Sequence, residues 1–493
     1  MGFIDSIFSS FRPELSGDAE NREREWSLDC AIRSPLLLLI KSSLVWLVIA
    51  TIFGLIASIK LHSPGFFADC PILTYGKVEP LFWNSLVYGW LFNAGLACAI
   101  FLLTRLGGRS APQKVFLAIS IVFWNTGVML GLIGIMAGEQ LPYAWLEFPA
   151  FVGPVLFIAF VGIGLSCLMI YNARAYRSSY ASQWWVLAAL FSFAWIYTAA
   201  QVMVVCLPAQ GTIQALINSW YIENVFGLFL APLAFATILY LIPKTLGSHV
   251  IGYKYSAYAF WSWIFFASFS GVSDMSFGPI PVWVSTFGVV ASFGLLLPTT
   301  TLSIQFLSSL FRKFSVIWSS ATARFLFAGS VIFMILMYYK IFGSLRGSLA
   351  TTQFSQFDSG VDLLALFGFA GMVFTGAIHF ILPRLLNKEL PSTTIVDLQF
   401  WLQLLGVMLV SIGLISGGVL HGELINESTA NSIAVVGALK SGFFMTTLGM
   451  LFFFLSSVCG VFTYFTILLS NRAEAERNTN LLHEAPELEY TAP

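Results

Sequence analysis

Charge is what this chain lacks most. Of 493 residues only 10% are Asp, Glu, Lys or Arg, against roughly a quarter in a soluble protein. The two signs cancel, 24 against 24, so no polyanionic partner such as a nucleic acid is implied. Histidine is almost as scarce: His62, His249, His379, His421 and His483 are the whole set. The six cysteines (30, 70, 98, 167, 206 and 459) form no C-x-x-C pair and no C-x-x-C-H haem-attachment motif. The motifs for a C-x-x-C redox centre and for covalent haem attachment are thus absent, and most of these thiols fall in apolar runs, where they read as inert small hydrophobes.

Hydrocarbon takes the place of charge. Hydrophobic residues make up 58% and aromatics 16%, and the mean hydropathy is +0.83. Runs of bilayer length, about 20 apolar residues each, fall at 36–59, 81–104, 115–137, 150–171, 184–207, 224–243, 257–272, 281–305, 325–343, 362–383, 398–420 and 441–469. In lipid the backbone must satisfy its own polar groups, so these runs are read as helices. The fold class is an all-α polytopic membrane protein of about twelve helices. Residues 1–34 are read as a polar interfacial segment, with Phe3, Ile4, Ile7, Phe8 and Phe11 at helical spacing. The membrane domain spans 35–470, and 471–493 is a charged, disordered tail. Longer loops are expected at 60–80, 138–149, 207–222, 344–360 and 421–440.

Positive charge is unevenly placed. With the N-terminus in the cytoplasm, inner loops carry Arg105, Arg109, Lys114, Arg174, Arg177, Lys244, Lys254, Arg312, Lys313, Arg324, Arg384 and Lys388. Outer loops carry Lys60, Lys77, Lys340, Arg346 and Lys440. That bias puts both termini inside. Lys340 reads as a helix-end residue, and His379 with Arg384 and Lys388 as a snorkelling cluster at a helix end.

Several short words recur in a particular order. They are Lys60-Leu61-His62-Ser63-Pro64, Leu73-Thr74-Tyr75-Gly76-Lys77, and Pro80-Leu81 with Asn84. Then come Trp220-Tyr221 with Asn224 and Gly227, Ile242-Pro243-Lys244, Tyr253, Phe260-Trp261, and Pro281 with Trp283. Gly376-Ala377-Ile378, Pro383-Arg384-Leu385 and Phe400-Trp401 close the series. Over roughly residues 45–420 the chain resembles subunit I of the haem–copper oxidases, in the cbb3-type branch. The resemblance implies a twelve-helix bundle holding haem b groups and copper through histidines. It also implies other membrane subunits as partners, a cytochrome c-type subunit among them.

Carried over residue by residue, those histidines are missing. The low-spin haem ligand position on the second helix is Phe82, and the His-x-His of the tenth helix becomes Val361-Asp362-Leu363. The copper-ligand positions become Glu223, Ser273 and Asp274, and the seventh-helix tyrosine becomes Ala267. Phe, Val and Leu have no lone pair to offer iron. Met372 lies on the tenth helix but far from Leu363. No cofactor is therefore expected. The bulky residues Phe82, Trp83, Phe367 and Phe369 are expected to fill the space, because a haem-sized void is costly.

Glu223, Asp274 and Asp362 are expected near one another, either wetted at helix ends or forming a polar or oxygen-ligand metal pocket. Three functions stay open on the sequence. The first is a structural or assembly subunit of a membrane redox or proton-handling complex. The second is an active oxidase or nitric-oxide-reductase-like subunit with unorthodox ligands. The third is an ion or proton transporter using the Glu223/Asp274/Asp362 pocket.

Overall fold

A computed structural model describes residues 18–109, 112–175, 179–209, 211–388, 393–427 and 431–469. The membrane helices are α1 (Asp18–His62), α2 (Tyr75–Gly107), α3 (Lys114–Ala137), α4 (Val152–Asn172), α5 (Ala181–Cys206) and α6 (Thr212–Leu246). They continue as α7 (Ser256–Ala267), α8 (Val282–Phe311), α9 (Ala321–Gly343), α10 (Phe357–Leu386), α11 (Thr393–Asn426) and α12 (Ser432–Leu469). Among the described residues eleven helices are long and apolar enough to cross a membrane. The expected span at 257–272 is the exception. Its helix stops at Ala267 and gives way to turns through Gly271, whose φ of +86° ends the regular backbone. A 12-residue helix is about 18 Å long, short of the ~30 Å hydrocarbon layer.

Three boundaries also differ from expectation. Helix α1 begins at Asp18, so there is no break at residue 34, and the interfacial motif of residues 3–11 lies outside the described residues, as does the tail beyond 469. The expected loop at 207–222 is helical from Thr212, and α11 continues to Asn426 inside the expected 421–440 loop.

The apolar stretches of α2 and α6 are wholly buried and that of α10 nearly so, whereas each other spanning helix leaves half or so of its stretch outward. The bundle thus has three central helices and a surrounding ring. Small residues allow this. At Gly95 of α2 an added Cβ would lie 3.0 Å from Leu233 of α6 and 3.2 Å from Phe374 of α10. Gly371 of α10 lies under the Trp90 indole, with 2.6 Å for an added Cβ.

All three central helices widen into a π-helical turn, at Ser85–Leu91, Val225–Leu230 and Leu364–Ala370. A wide turn leaves carbonyls poorly paired within the helix. Each turn has one carbonyl met by a side chain from the ring. Trp124 Nε1 of α3 donates to Tyr88 O (3.1 Å), Trp263 Nε1 of α7 to Gly227 O (2.7 Å), and Gln403 Nε2 of α11 to Phe367 O (3.3 Å). Asn84 and Asn224, each just before a turn, also donate to their i−4 carbonyls, Pro80 O and Trp220 O. The ring therefore fixes the phase of the central helices.

At the opposite end from the starts of α2, α6 and α10, Arg105 ties α2 to α1. Its guanidinium holds Asp29 in a fork (Nε–Oδ1 2.9 Å, Nη2–Oδ2 2.5 Å) and reaches Glu25 at 2.5 Å. Asp29 is almost fully buried and Glu25 half exposed. Arg324 of α9 pairs likewise with Asp397 of α11.

Candidate functional site

At the end where α2, α6 and α10 begin, a cavity of about 450 Å3 opens between α6, α9, α10 and the α7–α8 loop. The loop reaches it through local geometry. Gly271 packs so closely on α6 that a Cβ would sit 2.6 Å from that of Glu223. Ser219 Oγ donates to Gly271 O at 2.9 Å and stands 3.3 Å from Asp274 Oδ2, and Trp220 Nε1 donates to Ser268 O at 2.9 Å. Ser273 Oγ donates to Asp274 Oδ1 at 3.3 Å. Glu223, Ser273, Asp274, Val361 and Asp362 all line this space, so the residues singled out in the sequence do meet.

Two further residues enter the cavity without having been singled out. Asp358 lines it from the first turn of α10. Lys340, read as a helix-end residue, turns inward instead: its Nζ lies 2.6 Å from Glu223 Oε2, with Nζ over the Phe226 ring at 5.3 Å. The acidic company accounts for the turn: Glu223, Asp274, Asp358 and Asp362 share the cavity that the ammonium faces, and Glu223 pairs with it directly. Asp274 and Asp358 are the exposed members of the group, yet the protein crowds Asp274. Withdrawal from bulk water, and then the Glu223 and Asp358 carboxylates, push its carboxyl well above the ordinary range, with Lys340 opposing. Among the described residues no three His, Cys, Asp or Glu side chains converge closely enough to grip a metal ion.

The remaining carried-over positions lie in tight packing. Phe82 (4% exposed) lies against Gly54 of α1 and 5.0 Å from the Trp83 ring. Leu363 and Ala267 are buried too. Phe367 stacks on Phe453 of α12 at 3.9 Å and meets Trp90 at 5.3 Å. Phe369 packs with Phe333 at 4.9 Å and Phe235 at 5.7 Å, and Met372 is fully buried. His379 does not snorkel. It is 5% exposed, its Nε2 lies 3.1 Å from Gln399 Oε1, and its ring tilts against Phe325. Gln399 on α11 gives the imidazole a partner inside the bundle. His62 lies beside Thr447 at 3.1 Å.

A second polar cluster, not foreseen, lies nearby on the α3–α4 loop. Glu147 is 8% exposed, and its Oε2 accepts from the fully buried Asn84 at 2.7 Å. Burial pushes its carboxyl up to about 7, against the hydrogen bond from Asn84. Next to it Tyr88 donates to Trp145 O at 2.6 Å and pairs with Tyr221 of α6. The signal available was one carboxylate in the otherwise apolar stretch Trp145-Leu146-Glu147-Phe148-Pro149.

Comparison with known proteins bears on the whole architecture. Residues 35–452 match the family model for cytochrome C and quinol oxidase polypeptide I. A cytochrome c oxidase subunit 1 homolog of Azorhizobium caulinodans is 25% identical over 404 residues, 78% of this chain and 72% of that protein. The cbb3-type cytochrome c oxidase subunit CcoN1 of Stutzerimonas stutzeri is 21% identical over 427 residues, 84% of this chain and 90% of the relative. A haem–copper terminal oxidase dimer solved by cryo-EM superposes with a TM-score of 0.69 at 13% identity, covering 93% of this chain and 86% of that one. The multi-pass helical bundle, its three buried central helices and the extent of the match agree: this chain belongs to the haem–copper oxidase subunit I family, with cbb3-type relatives.

Proposed function

We propose that this chain is a non-catalytic subunit, serving structure or assembly in a membrane redox or proton-handling complex of a bacterial cytoplasmic membrane. The observation that carries the reading is the donor set. Where the resemblance asks for imidazoles the chain has Phe82, Val361 and Leu363 for haem, and Glu223, Ser273 and Asp274 for copper. Hydrocarbon side chains cannot ligate iron, and three oxygen groups suit copper(I) poorly. His379 is no substitute. It stands 18 residues beyond Val361 (379 − 361), about 27 Å along α10, and its ring is engaged with Gln399. The aromatic packing of Phe82, Phe367 and Phe453 also supports the reading, since these rings occupy volume beside α2 and α10.

Its partners are then other membrane subunits, a cytochrome c-type subunit among them, and the excess of Lys and Arg on one set of loops favours both termini in the cytoplasm. The test is a reduced-minus-oxidised spectrum of the purified chain. No haem α-band is expected. A one-to-one band would overturn the reading in favour of an active terminal oxidase with unorthodox ligands.

The 450 Å3 acidic cavity favours a second reading, transport of a cation or proton through Glu223, Asp274 and Asp362. Proteoliposome flux that Glu223→Gln and Asp274→Asn leave unchanged removes it.

A further inference from the structure

The Lys340–Glu223 pair is enclosed, with side-chain exposures of 17% and 16%, and it bridges α9 and α6. Three more carboxylates face the same space, Asp274 from the α7–α8 loop and Asp358 and Asp362 from α10. One ammonium therefore stands among acidic groups delivered by three other elements. Carboxylates gathered in one part-enclosed space need positive charge from some source, or they repel one another. Here the chain supplies it.

We infer that Lys340 is the built-in occupant of a cation site: its ammonium fills from within the chain a position that would otherwise draw a cation from solution. This rests on the preceding proposal only in equating Glu223 and Asp274 with metal-ligand positions; the ion pair and the cavity stand without it. Removing the lysine side chain should leave an open receptor for a small ammonium, because the cavity connects to the surface and already has the volume for one.

The experiment compares wild type, Lys340→Ala and Lys340→Ala/Glu223→Gln in detergent by thermal melting. The probes are n-propylammonium chloride, equal NaCl, n-propanol and Mn2+. Lys340→Ala should melt lower than wild type and recover with n-propylammonium at a concentration at least about five-fold below that needed for Na+. Wild type should show no such recovery, and the double variant should lose it. An equal response in wild type overturns the inference, as does a folded Lys340→Ala that responds to no cation.

Should Lys340→Ala fail to fold, Lys340→Arg and the wild-type Mn2+ titration decide. The arginine variant should fold, and wild type should show no Mn2+ site that depends on Glu223. Failure of the arginine variant to fold, or one-to-one Mn2+ binding abolished by Glu223→Gln, overturns it. A haem α-band in the same samples would sink the proposed function while leaving the cation response to be read on its own.

Discussion

The indole nitrogen of Trp263 donates to the carbonyl oxygen of Gly227 at 2.7 Å, joining α7 to the π-helical turn of α6. Both partners are buried. Trp263→Phe keeps most of the ring but leaves that carbonyl unpaired, which costs about 1–3 kcal/mol. The variant should therefore unfold at a clearly lower temperature in detergent. Trp261→Phe is the control, since Trp261 is 71% exposed, and it should stay within about 0.5 kcal/mol of wild type. Equal melting of the two variants would remove any role for the indole in bracing the turn.

Glu147 gives a pH dependence with a definite sign. Its folded-state value of about 7 lies above the ordinary 4.5, so between those pH values the folded chain holds a proton that the unfolded chain has released. Stability should fall as pH rises through that window, by about 3 kcal/mol in total, and level off above it. Unfolding midpoints at pH 5 and pH 8 should differ less in Glu147→Gln than in wild type. Identical pH slopes for the two proteins would exclude Glu147 as the source.

The Arg105 fork distinguishes a buried from an exposed partner. Arg105→Met strands the buried Asp29 carboxylate and should cost about 3–5 kcal/mol. Arg105→Met/Asp29→Leu should recover much of that loss, because no unpaired charge remains. Glu25 is half exposed, and Glu25→Gln should cost less than about 1 kcal/mol. A double-mutant cycle by thermal melting checks all three, and a double variant as weak as the single one would count against the burial argument.

Gly371 marks where α10 meets α2. A Cβ there would lie 2.6 Å from the Trp90 ring and 2.8 Å from Leu366 O in the adjacent π turn. The backbone oxygen cannot step aside, so Gly371→Ala should cost about 1–3 kcal/mol. Gly65→Ala, with nothing within 4 Å, should be neutral. Comparing the two by urea titration in mixed micelles would show whether this contact matters.

Much of the fold is legible in the sequence because bilayer length and apolar composition are local properties. The 257–272 run misleads for the same reason: composition does not distinguish Ala267, in a helix, from Ser268–Gly271, in turns. The π turns cannot be read at all, since their bracing partners Trp124, Trp263 and Gln403 lie 36 residues away in each case. Glu223, Asp274 and Asp362 were reachable through the family words, and they share a cavity. Lys340 was not. A lysine in the last turn of an apolar helix looks the same whether it turns out to water or inward, and its partner is 117 residues distant. Glu147 was hidden in an expected loop, where a single carboxylate attracts no notice until Asn84 is seen against it.

Helix α1 runs 45 residues, about 67 Å, roughly twice what a bilayer requires. Because the Arg105 fork grips that helix at Asp29, the portion leading back to Asp18 behaves as a stiff spoke and not as a swinging leash. A folded marker substituted for residues 1–17 and continued without interruption into α1 would keep one bearing on the whole particle, giving single-particle imaging a fiducial whose tilt reports that of the membrane body.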